Sequence, residues 1–215
     1  MTKADIFNWA LQALLLNRQI ANPDADKSNE AKALQTNWDV ALKSALTDMN
    51  LTSTCTRANL ELVATAPIHH WDYAYKYPNN CAFFRRVVGC AEVDNKRSHI
   101  PKLVGLFEGK KVIFVTDAHR VEVANQSPDL KAVGEYIQTD FPLQTLQADA
   151  GLCIAHKLAV LSASLVTGKG ASTLMKRIEA NYSVYKALAQ RVDAEESFSF
   201  QTEATMSEFV EERLS

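Results

Sequence analysis

The densest group of side chains that could bind a metal ion is His69, His70 and Asp72. Imidazole and carboxylate groups are common zinc ligands. Adjacent residues of a strand point to opposite faces, so His69 and His70 are poorly placed to share one ion. Cys81 and Cys90 lie nine residues apart, without a second ligand pair to complete a tetrahedral site. We therefore predict no metal site and interpret both cysteines as core side chains.

A glycine-rich segment, Gly168-Lys169-Gly170, resembles part of a phosphate-binding loop. The full motif needs a glycine where Ala163 stands and a Ser or Thr directly after the lysine, and it follows a strand. We interpret the segment as a turn between two helices. His119 near Asp117 is too little for a catalytic triad, and the sequence carries none of the common catalytic or dinucleotide-binding motifs. The sequence therefore predicts neither an enzyme nor a cofactor site.

Aromatic residues stand on alternate positions just before Pro78, which is the period of a strand: Trp71, Tyr73, Tyr75 and Tyr77. We interpret them as a structural aromatic strand, one face of a sheet packed on helices. The alternative is a platform on which nucleic-acid bases stack. Two basic pairs, Arg85-Arg86 and Lys110-Lys111, could contact a nucleic-acid backbone, but such pairs are common on solvated surfaces.

Helices at both ends of the chain and strands in its middle are expected to position these side chains. Apolar residues at helical spacing predict a first helix from the Thr2 and Asp5 capping box towards Asn22-Pro23, and a second helix capped by Ser28. An αα-hairpin follows Pro142. Alternating and β-branched residues predict strands in the middle of the chain, at residues 60–63, 71–77, 102–108, 111–116, 121–124 and 133–139.

The expected fold class is mainly α, a helical bundle of four principal helices with an inserted small β region and an extended C-terminal arm. The expected divisions are N-terminal helices, a β-rich insertion, a C-terminal αα-hairpin and an extended docking tail, at residues 1–50, 51–140, 141–195 and 196–215.

The last residues differ in composition from the rest of the chain. Residues 193–215 hold seven acidic side chains and one basic side chain, a net charge of −6. Six apolar residues are spaced along this segment as potential docking anchors: Phe198, Phe200, Met206, Phe209, Val210 and Leu214. We interpret the segment as a partner-docking tail. The alternative is an ordinary terminus that folds back on its own domain.

The composition is that of a soluble, folded protein, with 215 residues, 47% of them hydrophobic, and a net charge of −2. The near-neutral total excludes a strongly basic nucleic-acid binder, although residues 1–192 alone carry +4. Four cysteines without CxxC spacing favour reduced thiols in a cytoplasm. The sequence holds no uninterrupted apolar run of the length that a membrane span needs, so we expect no membrane contact.

A series of short segments stands at residues 6–11, 38–43, 71–81, 135–137, 141–142 and 164–168. Together these segments resemble the head-to-tail adaptor proteins of tailed bacteriophages, the tail tubular protein A-like head-completion family. The resemblance covers about residues 4–195. It departs from the family at Val40, where an aromatic residue is frequent, and in a β region longer than the simplest members carry.

The resemblance implies a structural virion protein, not an enzyme. Such proteins form a closed ring, commonly a dodecamer, beneath the portal protein of the capsid. A downstream tail protein (nozzle, tube or tail terminator) docks below, and DNA passes through the lumen. The resemblance also implies that the C-terminal tails reach the portal, and that the virion is assembled in the host cytoplasm. The alternative function is a helical regulatory or interaction module that binds a protein or single-stranded nucleic acid through its aromatic strand.

Overall fold

The structure, a computed structural model, describes residues 1–68, 70–88, 100–116, 132–167 and 172–214, with side chains in the last helix described up to residue 197. The chain divides into two compact units. One is helical and combines Met1–Thr54 with Thr139–Ser215, and the other is a β unit comprising Cys55–Gln138. The sequence placed the β-rich insertion at residues 51–140.

Helix α1 spans Lys3–Ala13 and begins at the predicted capping box. The Asp5 amide donates to the Thr2 hydroxyl at 3.2 Å, and the Thr2 amide donates to the Asp5 carboxylate at 2.7 Å. The helix ends earlier than predicted because Leu15 adopts a positive φ of 61°. The returning chain is held by Asn8, whose side chain accepts from the Ile20 amide at 2.7 Å and donates to its carbonyl at 3.1 Å.

Helix α2 spans Asn29–Met49, with Ser28 as its N-cap and Asn50 in the left-handed region at its C-terminus. Helix α3 spans Ala148–Val166 and lies at the centre of the helical unit, packed against α1, α2 and the last helix, α4. Gly151 permits a close approach, because a Cβ at this position would overlap Met1 and nearly touch Trp9.

Helix α3 is long and apolar enough to cross a membrane by length and composition alone, with 19 residues and a mean hydropathy of 1.4. Asp149, His156 and Lys157 interrupt its apolar residues, so the helix is not an uninterrupted apolar run in the sequence. In an 18-residue window of this helix, 56% is buried inside the protein, as expected for a helix packed among others.

Helix α4 spans Ser172–Leu214 and is 43 residues long. The expectation of an extended C-terminal arm is therefore wrong, because the backbone of residues 196–214 continues this helix. Between residues 172 and 214 the sequence contains neither Gly nor Pro, so nothing interrupts helical hydrogen bonding. The alternation of Phe198 and Phe200 had favoured an extended segment.

The β unit contains two antiparallel sheets in its described part, one of three strands in the order β1-β7-β4 and one of four in the order β2-β3-β6-β5. The strands are β1 Cys55–Asn59, β2 Leu62–Ile68, β3 Trp71–Lys76, β4 Cys81–Val88, β5 Lys102–Phe107, β6 Lys110–Val115 and β7 Val133–Gln138. Side chains from both sheets share one core, in which Tyr75 and Ile113 of the larger sheet pack with Phe84 and Tyr136 of the smaller.

The fold is mixed α/β, with 51% of the described residues in helices and 26% in strands. The expectation of a mainly α fold is therefore wrong. Two strands that the sequence did not predict, β1 and β4, account for much of the additional β structure. Strand β1, with the sequence CTRAN, lacks an apolar alternation. Strand β4 has the sequence CAFFRRVV, which does not alternate between apolar and polar residues. Its pairing register shifts between Phe84 and Arg86, and this shift disrupts the period of two. Without these strands, the three-stranded sheet could not be predicted.

Several sequence interpretations lie outside the described residues. These are the strand at 121–124, the glycine turn at 168–170, and the side chains of His69, Cys90, Asp117 and His119.

Candidate interaction surfaces

The aromatic strand divides between the two faces of the four-stranded sheet. Tyr75 is fully buried, and Tyr73 and Tyr77 are partly buried against the core between the sheets. Trp71 instead packs near Phe114 on the opposite face, with their ring centroids 6.1 Å apart. The structure therefore brings together three of the four predicted aromatic residues.

An irregular start to β3 explains the separation of Trp71. His70 precedes it with a positive φ of 73°. The pairing register between β2 and β3 also shifts between Thr65 and Ile68. The extra residue of this shift lies in β2, where three steps oppose two in β3. Pairing at this end of the sheet is therefore irregular, and the alternation that would place Trp71 on the face of Tyr73 does not extend to it.

Tyr77 connects two other residues singled out in the sequence. The Cys81 thiol donates to the Tyr77 hydroxyl at 3.1 Å, and Cys81 is buried. Burial, together with this hydrogen bond, raises the pKa of Tyr77 above its usual value. The Lys111 ammonium lies 3.8 Å from the centroid of the Tyr77 ring, a cation–π contact. One member of the Lys110-Lys111 pair is therefore engaged with the aromatic strand.

A row of three charged side chains crosses the three-stranded sheet. Glu135 of β7 pairs in register with Arg57 of β1 and Arg86 of β4. Arg86 binds both carboxylate oxygens, with nitrogen-to-oxygen distances of 3.1 and 2.9 Å, and the Arg57 Nε lies 3.0 Å from Oε2. Glu135 is 7% exposed. Burial raises the pKa of Glu135, but the hydrogen bonds from both arginines outweigh burial and hold it below its usual value.

Arg85 joins this row through Cys55. Cys55 pairs with Ile137 of β7, two positions from Glu135, and therefore lies on the same face of the sheet as Glu135. Burial raises the pKa of the Cys55 thiol, while the nearby Arg85, which hydrogen-bonds to it, and Arg57 act in the opposite direction. The Arg57 side chain is 55% exposed and that of Arg86 is 29% exposed.

Phe83 completes the group. Phe83 pairs with Ile137, as Cys55 does from the other side of β7, and 40% of its surface is exposed. We call this group the arginine face: Cys55, Arg57, Phe83, Arg85, Arg86 and Glu135. Only the Arg85-Arg86 pair of this face is adjacent in the sequence, because the other members come from strands far apart in the chain.

A second polar cluster joins three helices of the helical unit. The Tyr182 hydroxyl of α4 donates to Asp48 Oδ2 of α2 at 2.6 Å, and the Lys157 ammonium of α3 lies 3.3 Å from the same oxygen. Burial raises the pKa of Asp48, but these hydrogen bonds outweigh it and hold the pKa below its usual value. Burial raises the pKa of the adjacent Cys153 to about 12, so this thiol stays protonated and unreactive at neutral pH. The cluster therefore acts as a structural connection between helices.

The acidic segment begins on a firm attachment to the helical unit. Asp193 accepts from the Thr52 amide at 2.8 Å and from the Ser53 amide at 3.1 Å, which caps a short 3₁₀ helix at Thr52–Thr54. One turn earlier, Gln190 donates to the Met49 carbonyl at 3.0 Å. Glu196 accepts from the side chain of Gln147 at 2.9 Å. These contacts fix α4 up to residue 196.

The predicted docking anchors follow this attachment. All six occupy positions in the α4 backbone, but their side chains lie outside the described residues: Phe198, Phe200, Met206, Phe209, Val210 and Leu214. From Met206 onwards the anchors are spaced three, one and four residues apart, which places these four positions along one side of a helix.

No group of three or more His, Cys, Asp or Glu side chains is placed to hold a metal ion within the described ranges. No protein-family model matches the chain, and a search of curated proteins finds none significantly similar to it.

Proposed function

We propose that the chain is a structural subunit of a bacteriophage virion. Copies of it assemble head to tail into a closed ring that joins the portal of the capsid to the next tail component. DNA passes through the lumen of this ring. The proposal places the protein at the head-tail junction and assigns it no catalytic role.

Helix α4 is the observation that carries the proposal. At 1.5 Å per residue, its 43 residues extend for roughly 65 Å. Its first part packs on α3 and α2, and the contacts of Gln190, Asp193 and Glu196 fix it to the helical unit. Roughly 26 Å of helix follows, carrying acidic residues and spaced apolar residues. A long helix held firmly at one end is suited to reach a second protein.

The sequence resemblance provides independent support. Two of its segments meet in the helical unit, where Phe7 and Trp38 pack with ring centroids 5.6 Å apart. A third supplies Tyr75 to the core of the β unit. The residues that carry the resemblance therefore include core residues of both units, as expected for a likeness in fold.

Native mass spectrometry with the portal protein of the same phage tests the proposal. We expect a stable complex in which about twelve copies bind one portal ring, visible as an added layer by negative-stain electron microscopy. A chain that neither binds the portal nor forms a ring in its presence would contradict the proposal.

The alternative function, binding of single-stranded nucleic acid through the aromatic strand, needs exposed rings for stacking. Tyr75 has no exposed surface, which counts against this alternative. Salt-sensitive binding of single-stranded DNA that disappears in Tyr73→Ala would support it nevertheless.

A further inference from the structure

We infer that the arginine face of one copy binds the acidic C-terminal half of α4, residues 196–214, from a second copy. This inference rests on the proposed self-assembly of the chain and identifies one of its subunit contacts.

Charge is the first argument. Among the described residues, the arginine face combines three guanidinium groups with the single carboxylate of Glu135. Residues 196–215 carry five acidic side chains and one arginine, a net charge of −4. Opposite charge attracts the two surfaces, and the Arg57 side chain keeps 55% of its surface in solvent.

Apolar contact is the second argument. Phe83 exposes 40% of its surface beside the arginines, a large share for an aromatic side chain. Residues 196–214 bring Phe, Met, Val and Leu at helical spacing among their acidic residues. Aromatic and Arg side chains are typical of the residues that dominate binding energy at protein interfaces.

Dimensions are the third argument. The outer strands of a three-stranded sheet lie about 10 Å apart, because adjacent strands are about 4.8 Å apart. An α-helix with its side chains is about 10 Å in diameter. One helix can therefore lie along the three-stranded sheet and reach Arg57 on β1 and Arg86 on β4 at the same time.

The first experiment measures this contact with a fluorescein-labelled peptide of residues 196–215. The receptor is the full chain carrying Glu203→Lys, Glu208→Lys and Glu211→Lys, so that its own tail does not compete. We expect fluorescence anisotropy to show saturable binding that weakens with added salt. Adding Arg85→Glu to the receptor should weaken the affinity at least about tenfold. Absence of binding, or equal affinity for the Arg85→Glu receptor, would overturn the inference.

A matched control and a milder variant keep this comparison interpretable. Lys110→Glu makes the same charge change at an exposed position of β6, and its receptor should bind within about twofold of the parent. Circular dichroism verifies folding, and Phe83→Ser replaces Arg85→Glu if the latter does not fold.

Labelled duplex DNA serves as a competitor. If DNA binds the receptor more tightly than the peptide does and depends on Arg85, the face is a nucleic-acid site and the inference fails.

The second experiment decides whether the contact joins two copies. Chains with Arg85→Glu alone and chains with the three tail substitutions alone should each associate less than the parent chain in sedimentation velocity. Mixing the two should restore association, because the acidic tail of the first chain meets the intact arginine face of the second. Mixtures that remain monomeric would overturn the inference. If rings still form on the portal without Arg85, the proposed function stands and only this contact fails.

Discussion

Glu135 is the most deeply buried carboxylate among the described side chains. It is almost fully buried on the central strand of the smaller sheet, and two arginines provide its hydrogen bonds. Breaking a buried ion pair by removing one charge destabilises a protein because the remaining charges lose their partner. The sequence shows no sign of this arrangement, since its three members are separated by 29 to 78 residues and meet only through strand pairing.

Glu135→Gln should lower the free energy of unfolding by about 3 kcal/mol, because it leaves Arg57 and Arg86 adjacent without a counter-charge. Urea denaturation at neutral pH measures the change. Glu61→Gln is the control: its ion pair with Lys76 is well exposed at both ends, so its loss should change the free energy of unfolding by less than about 1 kcal/mol. Equal effects of the two substitutions would show that the Glu135 pairs do not stabilise the β unit.

His156 predicts a pH dependence of the helical unit. It is 6% exposed in α3, its Nδ1 lies 2.9 Å from the Leu152 carbonyl, and its ring packs 4.9 Å from that of Tyr185. Burial lowers the pKa of His156 below its usual value of 6.5. The unfolded chain therefore binds a proton at higher pH than the folded chain, and stability declines as pH falls below about 6.5.

His156→Gln should remove this decline, because glutamine does not titrate. Thermal melts of both proteins at intervals between about pH 7 and pH 5 measure the dependence. Carboxylates such as Asp48 have pKa values below their usual range and lose their contribution only in more acidic solution. A variant with the same decline as the parent would exclude His156 as its source.

At the scale of elements, the sequence predicted regular segments well and irregular ones poorly. The hairpin predicted at 102–108 and 111–116 is formed by β5 and β6, because a polar turn at Gly109 separates two apolar runs. The capping residues Thr2 and Ser28 start helices as expected. Strand β4 could not be predicted, since its two register shifts interrupt the alternation of buried and exposed positions.

The candidate surfaces could be predicted only in part, for the same reason. The acidic segment and its apolar spacing are local features, and the sequence contains them directly. No local sequence pattern identifies Arg57 as part of the arginine face, because its contact with Glu135 arises only when β1 pairs with β7. The structural role of Asp193 is also non-local, since the amides that it caps lie about 140 residues earlier.

Two truncations test the attachment of helix α4. Deleting residues 198–215 keeps Gln190, Asp193 and Glu196, so the chain should remain folded with a melting temperature within a few degrees of the parent. The same truncation removes the segment that we infer joins neighbouring copies, so fewer copies should assemble on the portal, which a pull-down with the portal measures.

Deleting residues 190–215 is the matched comparison. It also removes the Asp193 cap and the Gln190 hydrogen bond, and should lower the free energy of unfolding by about 1 to 3 kcal/mol. If the shorter deletion aggregates or melts as low as the longer one, residues 198–215 belong to the folded core and do not form a docking segment.

At the scale of the whole molecule, the near-neutral net charge hides an uneven distribution. A net charge of −2 is the sum of +4 on residues 1–192 and −6 on residues 193–215. Electrostatic contacts between copies should therefore depend on ionic strength, because exposed charges are screened over about 10 Å at 0.1 M salt. A ring built from heterologous contacts needs two complementary surfaces on each subunit, and this division of charge supplies such a pair.

The most direct test of this account is a symmetry-resolved electron microscopy reconstruction of the head-tail junction in intact particles. We predict a closed ring of copies of this chain between the portal and the next tail component, with DNA or an open channel along its axis. A junction that contains no copy of the chain, or copies that are not arranged around the channel, would contradict the account.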